Sequence, residues 1–428
     1  MKVTGIIAEY NPFHKGHKYQ IDYCKKKLNS DYVIVAMSGD YVQRGTPALL
    51  PKHVRAEMAL RCGADLVLEM PVSVSTASAE AFAMGGVSML DGLHIVDSLC
   101  FGSEYGEVSA LMELAEILVE EPEEYRRLLK ESLSNGLSFP SARCQALTEY
   151  FKNPRNFTGD DFDGVLTPLL NQIVQILNSP NNILGIEYCK ALLRLKSSIK
   201  PVTLKRQGMG YHETLADTAT DNIPFASASA IRELLKAALT PETISRITAQ
   251  IPDEISSLLA SSLQRNEFLT EDVLDPLLSY CILKENASGL STYLDVSRDL
   301  AERIVNRSNE INGFLQAASL LKTKELTQTR IQRALLHIIL GIREVPATVP
   351  YARVLGFRKE SSALLKEIKD SSSIPLITKL ADADSLLSEA GRVLLSETTF
   401  ASNIYEKLLC QKSGRNFVHE YQKQIVIL

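Results

Sequence analysis

No stretch of the 428-residue chain approaches the ~18 uncharged apolar residues of a membrane-spanning helix, so the sequence predicts no membrane partner. The first residues carry one lysine, Lys2, and a short apolar run before Glu9, Asn11 and Pro12 interrupt, which is not the pattern of a signal peptide. Cysteine is sparse. The seven residues, from Cys24 to Cys410, are odd in number, scattered, and never form a C-x-x-C pair. That argues against a disulfide framework and structural zinc, and makes a reducing, cytoplasmic setting the expectation. The chain has no surplus of positive charge, with a net charge of −5, and no internal repeat or low-complexity tract. What is present is an ordinary globular composition, 45% hydrophobic and 23% charged. At about 150 residues per domain the length suits two or three domains, each able to bury its own core.

The first hundred residues alternate strand-like and helix-like runs. Val3–Ile7, Tyr32–Met37, Asp65–Leu68 and Ser98–Phe101 are apolar and rich in β-branched residues. Helical patterns over Gly16–Leu28, Lys52–Arg61 and Ala77–Leu90 separate them. Such alternation predicts right-handed βαβ units and a parallel sheet, with ligands at the C-terminal strand ends. The segments beginning near Ala8, Ser38, Glu69 and Gly102 are therefore the candidate site edge. Pro122 and its glutamates mark a helix start, and Pro201–Leu204 reads as a late strand. After Thr240-Pro241-Glu242, itself a helix start, strand signals nearly vanish. The reading is an α/β protein with a parallel-sheet domain over residues 1–240 and a mainly α-helical domain over 241–428.

The segment Gly5-Ile6-Ile7-Ala8-Glu9-Tyr10-Asn11-Pro12-Phe13-His14-Lys15-Gly16-His17 carries the strongest chemical signal. It runs from a strand through a turn into a helix whose first turn holds two histidines and a glycine. A helix N-terminus offers free N–H groups and a partial positive charge, and so attracts phosphate. Imidazoles three residues apart there share a face, and Gly16 allows close approach to the backbone. Later, Phe225-Ala226-Ser227-Ala228-Ser229-Ala230-Ile231-Arg232 places hydroxyls at a helix start with an arginine in its first turn. Met37-Ser38-Gly39-Asp40-Tyr41-Val42-Gln43-Arg44-Gly45 follows the second strand, bringing Gln43 and Arg44 to the ligand edge. Phe101-Gly102-Ser103-Glu104 closes the fourth strand, Pro180-Asn181-Asn182-Ile183-Leu184-Gly185 opens a helix, and Lys205-Arg206 ends the late strand. Taken singly, each of these has a plain structural explanation: a cap, a turn glycine or a surface charge.

Together they resemble one family. The histidine segment is similar to the H-x-G-H signature of the nucleotidyltransferase superfamily (a HUP-type fold). The serine-arginine segment resembles that superfamily's I-S-S-T-x-I-R element, departing from it at Ala228 and Ser229. The whole set resembles the tRNA(Met) cytidine acetate ligases. That resemblance implies activation of acetate with ATP to acetyl-adenylate and transfer of the acetyl group to N4 of the wobble cytidine of elongator tRNA(Met), releasing AMP and pyrophosphate. It implies an ATP site comprising Ile7, Ala8, Glu9, Tyr10, Asn11, Pro12, Phe13, His14, Lys15, Gly16, His17, Lys18, Tyr19, Gln20, Gly102, Arg206 and an asparagine of the Asn181-Asn182 pair, with Asn182 favoured. His14 and His17 would stabilise the α-phosphate; Ser227, Ser229 and Arg232 would hold the pyrophosphate. Mg²⁺ would arrive on ATP with mostly water ligands, and no dedicated metal site is expected. The remaining histidines lack ligand spacing; His212, in the loop after Arg206, is the nearest of them in sequence to the site motifs, and no role is assigned to it.

Residues Leu321–Glu360 hold eight basic groups against three acids, a net +5 that leaves −10 for the rest. Arg330, Arg333 and His337 share a helical face, and Tyr351 and Phe357 are interleaved with later cations, Arg358 and Lys359 among them. This charge segregation predicts a tRNA footprint in the helical domain. Nothing calls for an obligate protein partner. Two rival readings fit the same residues: an enzyme adenylylating a small phosphorylated metabolite, and a non-catalytic RNA-binding protein with a retained nucleotide pocket.

Overall fold

The computed structural model describes residues 1–153, 173–206, 227–236 and 240–428. Five parallel strands form the centre of one sheet: β1 (Val3–Ala8), β2 (Tyr32–Ser38), β5 (Leu66–Met70), β6 (Ser98–Ser103) and β7 (Lys200–Lys205). A hairpin of β3 (Tyr41–Val42) and β4 (Thr46–Pro47) stands off the end of β2. The central strands are buried on both faces, hence their near-continuous apolar sequences. Helices α1 (Lys15–Lys26) and α2 (Lys52–Arg61) cover one face. Helices Ala79–Asp91, Val108–Glu120 and Pro180–Leu195 cover the other. The order β5-β2-β1-β6-β7 reverses direction at β1, so the crevice between the ends of β1 and β6 is where a ligand of such a sheet belongs.

The expected strands and helices of the first 240 residues are present within a few residues of their predicted bounds. Glu123–Ser134 begins after Pro122 with Glu123 and Glu124 in its first turn. At the expected boundary Thr240 caps helix Pro241–Thr248, its hydroxyl accepting from Thr243 N at 3.2 Å.

Beyond Thr240 the chain is mainly helical, and residues between 269 and 409 form an apolar core that also takes in Tyr41 and Val72. Strands nevertheless return, which the sequence pattern did not suggest. β8 (Ala352–Phe357) pairs antiparallel with β5, and β9 (Leu376–Ile377) and β10 (Val426–Ile427) pair parallel with β8. The sheet order is β10-β8-β5-β2-β1-β6-β7, so the last third of the chain completes the sheet of the first. Among the described residues no helix is long and apolar enough to cross a membrane.

Candidate active site

At the end of β1 the chain turns through Tyr10, whose φ of 49° is left-handed, and enters α1 at His14. The two histidines form the cap of this helix between themselves. His14 Nδ1 accepts from Gly16 N at 3.1 Å, and His17 Nδ1 accepts from His14 N at 3.2 Å. Their rings stack with centroids 3.7 Å apart. A Cβ on Gly16 would lie 2.9 Å from His14 Cε1, so glycine here keeps the first ring in place. Tyr10 and Phe13, both buried, form an aromatic floor within 5.4 Å of the His17 ring.

Both imidazoles are neutral. Burial, then Arg206 and Arg232, push His14 down to about 3; burial, then His14 and Arg206, hold His17 well below the usual histidine range. With each Nδ1 accepting a backbone N–H, the proton of each neutral ring sits on Nε2. The cap thus leaves two Nε2–H donors at a helix N-terminus.

The late serine-arginine segment meets this loop across the sheet edge. Arg232 donates to Asn11 O at 2.6 Å and to Ser229 Oγ at 3.2 Å. Arg44 donates to the same Ser229 Oγ at 3.0 Å. Ser227 Oγ accepts from Ala230 N at 3.2 Å, a helix-start contact for Ala228–Lys236. Hydroxyl roles therefore divide: Ser227 closes a helix, and Ser229 joins two guanidinium groups. Phe225, Ala226 and His212 lie outside the described residues.

On the other side of the crevice, Glu104 accepts from Asn181 Nδ2 at 2.6 Å and Asn182 N at 3.0 Å, fixing a helix N-terminus to the end of β6. The two asparagines differ. Asn182 is buried, with its Oδ1 accepting from Tyr105 N at 3.0 Å. Asn181 is part-exposed, and its Oδ1 lies 3.5 Å from Arg206 Nη1. Gly102 faces the Arg206 side chain, to which a Cβ would approach within 3.3 Å. Other residues of the first segment brace the fold: Gln20 donates to Cys100 O at 2.9 Å, Lys15 to Ala249 O at 2.7 Å, and Lys18 pairs with Glu254 at 2.9 Å. Among the described residues no three His, Cys, Asp or Glu side chains are grouped to hold a metal ion.

One positioning group had no signal in the sequence. Arg55, fully buried on α2, donates to the carbonyls of Glu9 (2.5 Å), Ser38 (3.0 Å), Gly39 and Leu50 (2.9 Å). It ties the ends of β1 and β2 together, consuming its donors on backbone that would otherwise be buried unpaired.

The predicted RNA-contacting residues do not form one surface. Arg330 is exposed on the first turn of helix Gln328–Leu340, and Arg333 pairs with Asp295 at 3.0 Å. The backbone of Arg333 abuts Gly45, whose φ of +74° suits the hairpin tip, so this helix end sits beside the β2 edge of the site. His337, placed on the same helical face by spacing, is instead fully buried, with Nδ1 3.0 Å from Leu294 O. Tyr351, 1% exposed, is too buried to serve as a stacking platform, and Phe357 is part-buried against the main core. Arg353 is buried between Glu69 (2.5 Å) and Glu420 (2.6 Å). Because β8 runs antiparallel to β5, Arg358 and Lys359 emerge at the opposite sheet edge, where Arg358 N bonds Asp65 O and Lys359 N bonds Leu428 O.

The model of the HIGH nucleotidyl transferase family matches residues 1–420. A tRNA(Met) cytidine acetate ligase of Acetivibrio thermocellus is 38% identical over 100% of both chains. One of Clostridium kluyveri is 41% identical over 89% of this chain and 90% of its own. Among solved structures, Thermotoga maritima TmcAL bound with alpha-thio ATP superposes with a TM-score of 0.86 at 28% identity, covering 100% of both chains. Its apo form gives 0.88 at the same identity and coverage. With the two-histidine helix cap at the end of β1 and full-length likeness on both counts, this chain belongs to the tRNA(Met) cytidine acetate ligase family of HIGH nucleotidyl transferases.

Proposed function

We propose that this chain acetylates N4 of the wobble cytidine of elongator tRNA(Met), using ATP and acetate through an acetyl-adenylate. In the first step an acetate oxygen bonds to the α-phosphorus, the bridge to the β-phosphate breaks, and pyrophosphate leaves with the bonding electrons. In the second the cytidine N4 attacks the acetyl carbonyl, the bond to AMP breaks, and the amine loses a proton. The observation that carries the first step is the buried histidine pair at the start of α1, each Nδ1 accepting a backbone N–H so that each Nε2 is left to donate. Neutral donors at a helix start stabilise the charge developing on the α-phosphate without being titrated by it. Arg232 and Arg44, joined at Ser229, form the cationic lip suited to the departing pyrophosphate. Asn181 and Arg206, beside Gly102, are suited to the nucleoside side of the crevice. Asn182, its Oδ1 taken by Tyr105 N, lines the same side. Mg²⁺ enters with ATP as part of the substrate, keeping mostly water ligands.

The tRNA face is assigned to Arg330 and Arg333, at the helix end beside the hairpin of β3 and β4. The test is mass spectrometry of elongator tRNA(Met) incubated with the protein, ATP and acetate. A gain of one acetyl group at the wobble cytidine, dependent on both small substrates, is expected. Unmodified tRNA would refute the reading.

A further inference from the structure

Acetate needs a binding group of its own, and the hairpin after β2 supplies a candidate. Gln43 lies at its tip. Its backbone N donates to Glu9 Oε1 at 2.8 Å, which holds the tip against the first-strand loop. Arg44, the next residue, reaches Ser229 at 3.0 Å, and Ser229 in turn touches Arg232, so Gln43 stands between the phosphate-binding loop and the cationic lip. Gly45 then seats the hairpin against the backbone of Arg333. The tip is fixed on three sides, yet the side-chain amide nitrogen of Gln43 is spent on nothing. This Nε2 is buried and has no hydrogen-bond partner among the described residues.

A buried N–H donor without a partner is costly, and in a folded protein it calls for an explanation. Tyr10 Oη is also unpartnered, but its ring is 1% exposed in the floor beneath His17. Gln43 as a residue is part-buried at the hairpin tip, between the first-strand loop and the cationic lip. Building on the acetate-ligase reading, we propose that the Gln43 amide is the binding group for the acetate carboxylate, donating to the oxygen that does not attack the α-phosphorus. A neutral amide suits this task. It orients the carboxylate while withdrawing less electron density from the attacking oxygen than an arginine would. Arg44 and Arg232 supply the positive field that draws a small anion to this corner.

The experiment varies acetate at saturating ATP and tRNA, following acetylcytidine formation by the wild type, Gln43→Ala and Gln43→Glu, with ATP affinity measured separately by calorimetry without acetate. Loss of one hydrogen bond to a charged group predicts that Gln43→Ala lowers kcat/KM for acetate by about 10- to 100-fold. Its ATP affinity should stay within about twofold, since it keeps the backbone bond to Glu9. Gln43→Glu, similar in size but anionic, should be worse for acetate than alanine. An unchanged acetate dependence in both variants overturns the proposal. So does an equal loss of ATP affinity with a lowered unfolding midpoint, which would make Gln43 a brace of the hairpin. If the wild type makes no acetylcytidine, the functional reading itself fails; if it does and the variants match it, only the acetate assignment fails.

Discussion

Two stretches along the C-terminal edge of the same sheet handle polar groups in different ways. At the β1–β6 edge the histidine cap is closed by bonds between near neighbours, His14 with Gly16 and His17 with His14, and burial holds both imidazoles below the usual histidine range. At the β5–β8 edge full charges are buried and consumed. Lys52 Nζ lies 2.6 Å from Glu69, 2.7 Å from Glu420 and 2.7 Å from Ser402. Arg353 bridges the same two glutamates, and Lys423 and Arg415 both pair with Glu406. Lys52 and Arg353 hold the Glu420 carboxyl far below the usual carboxylate range against the opposing effect of burial. The β1–β6 edge keeps its imidazole donors for a ligand, whereas the β5–β8 edge uses its charges to clamp the C-terminal segment onto the sheet. One edge is built to act and the other to hold.

The largest effect expected from breaking this division lies at the clamp. Glu420→Ala leaves Lys52 and Arg353 buried with one carboxylate fewer, which costs about 3–5 kcal/mol of stability. Urea unfolding measures it. In folded protein the acetylation rate should stay within a few-fold of wild type, and a selective loss of rate with stability intact would blur the two roles.

Arg232 separates the two chemical steps. Assigned to the leaving pyrophosphate alone, it lowers only the first barrier. Arg232→Ala should lose one to two decades of rate with ATP and acetate, the scale of roughly 1.5–3 kcal/mol for one charge-assisted contact. Preformed acetyl-adenylate should restore acetylation. Equal loss with both donors would move Arg232 from the pyrophosphate to the tRNA or the fold.

Acidification tests the neutrality of the histidines. His14 titrates at about 3 when folded, against an ordinary histidine value of 6.5. Between those values the unfolded chain binds the extra proton, so this histidine removes stability as pH falls. From about pH 6.5 to about pH 5 the loss is roughly 1.5 kcal/mol. Unfolding measured at both pH values should show a shallower decline for His14→Gln than for wild type. An identical decline would mean that His14 takes up its proton in the folded protein as readily as in the unfolded chain.

The smallest effect concerns tRNA. Arg330→Ala should reduce the salt slope of tRNA binding by about one, the change expected when one phosphate is no longer neutralised. Replacement of Arg358 and Lys359 at the far edge should leave the slope unchanged. The reverse pattern would place the RNA on the other side of the molecule.

The contrast between the edges also explains what could be read from the sequence. The first-strand loop was legible because its partners are close in the chain: the cap, the glycine and the aromatic floor all lie between Tyr10 and His17. The serine-arginine helix start was legible as a unit, though not which hydroxyl bonded what. Arg55 was invisible, since its partners are backbone carbonyls that leave no mark on residue type. β8 was hidden because its register with β5 is set by packing across nearly three hundred residues of chain. Charge counting over Leu321–Glu360 treated Arg353 as surface when it is a buried counter-ion. Composition reports how many cations a segment has; only the fold decides which of them meet water.

The first chemical step turns on His17 as a neutral donor to the α-phosphate. The direct measurement is the rate of acetylation from ATP and acetate by His17→Ala, alongside its unfolding free energy. Removing one preorganised donor predicts a fall of about 10²–10³ in turnover. Removing the cap hydrogen bond should cost no more than about 2 kcal/mol of stability. Near-normal turnover in a folded His17→Ala protein would contradict the assignment of the phosphate chemistry to this helix start.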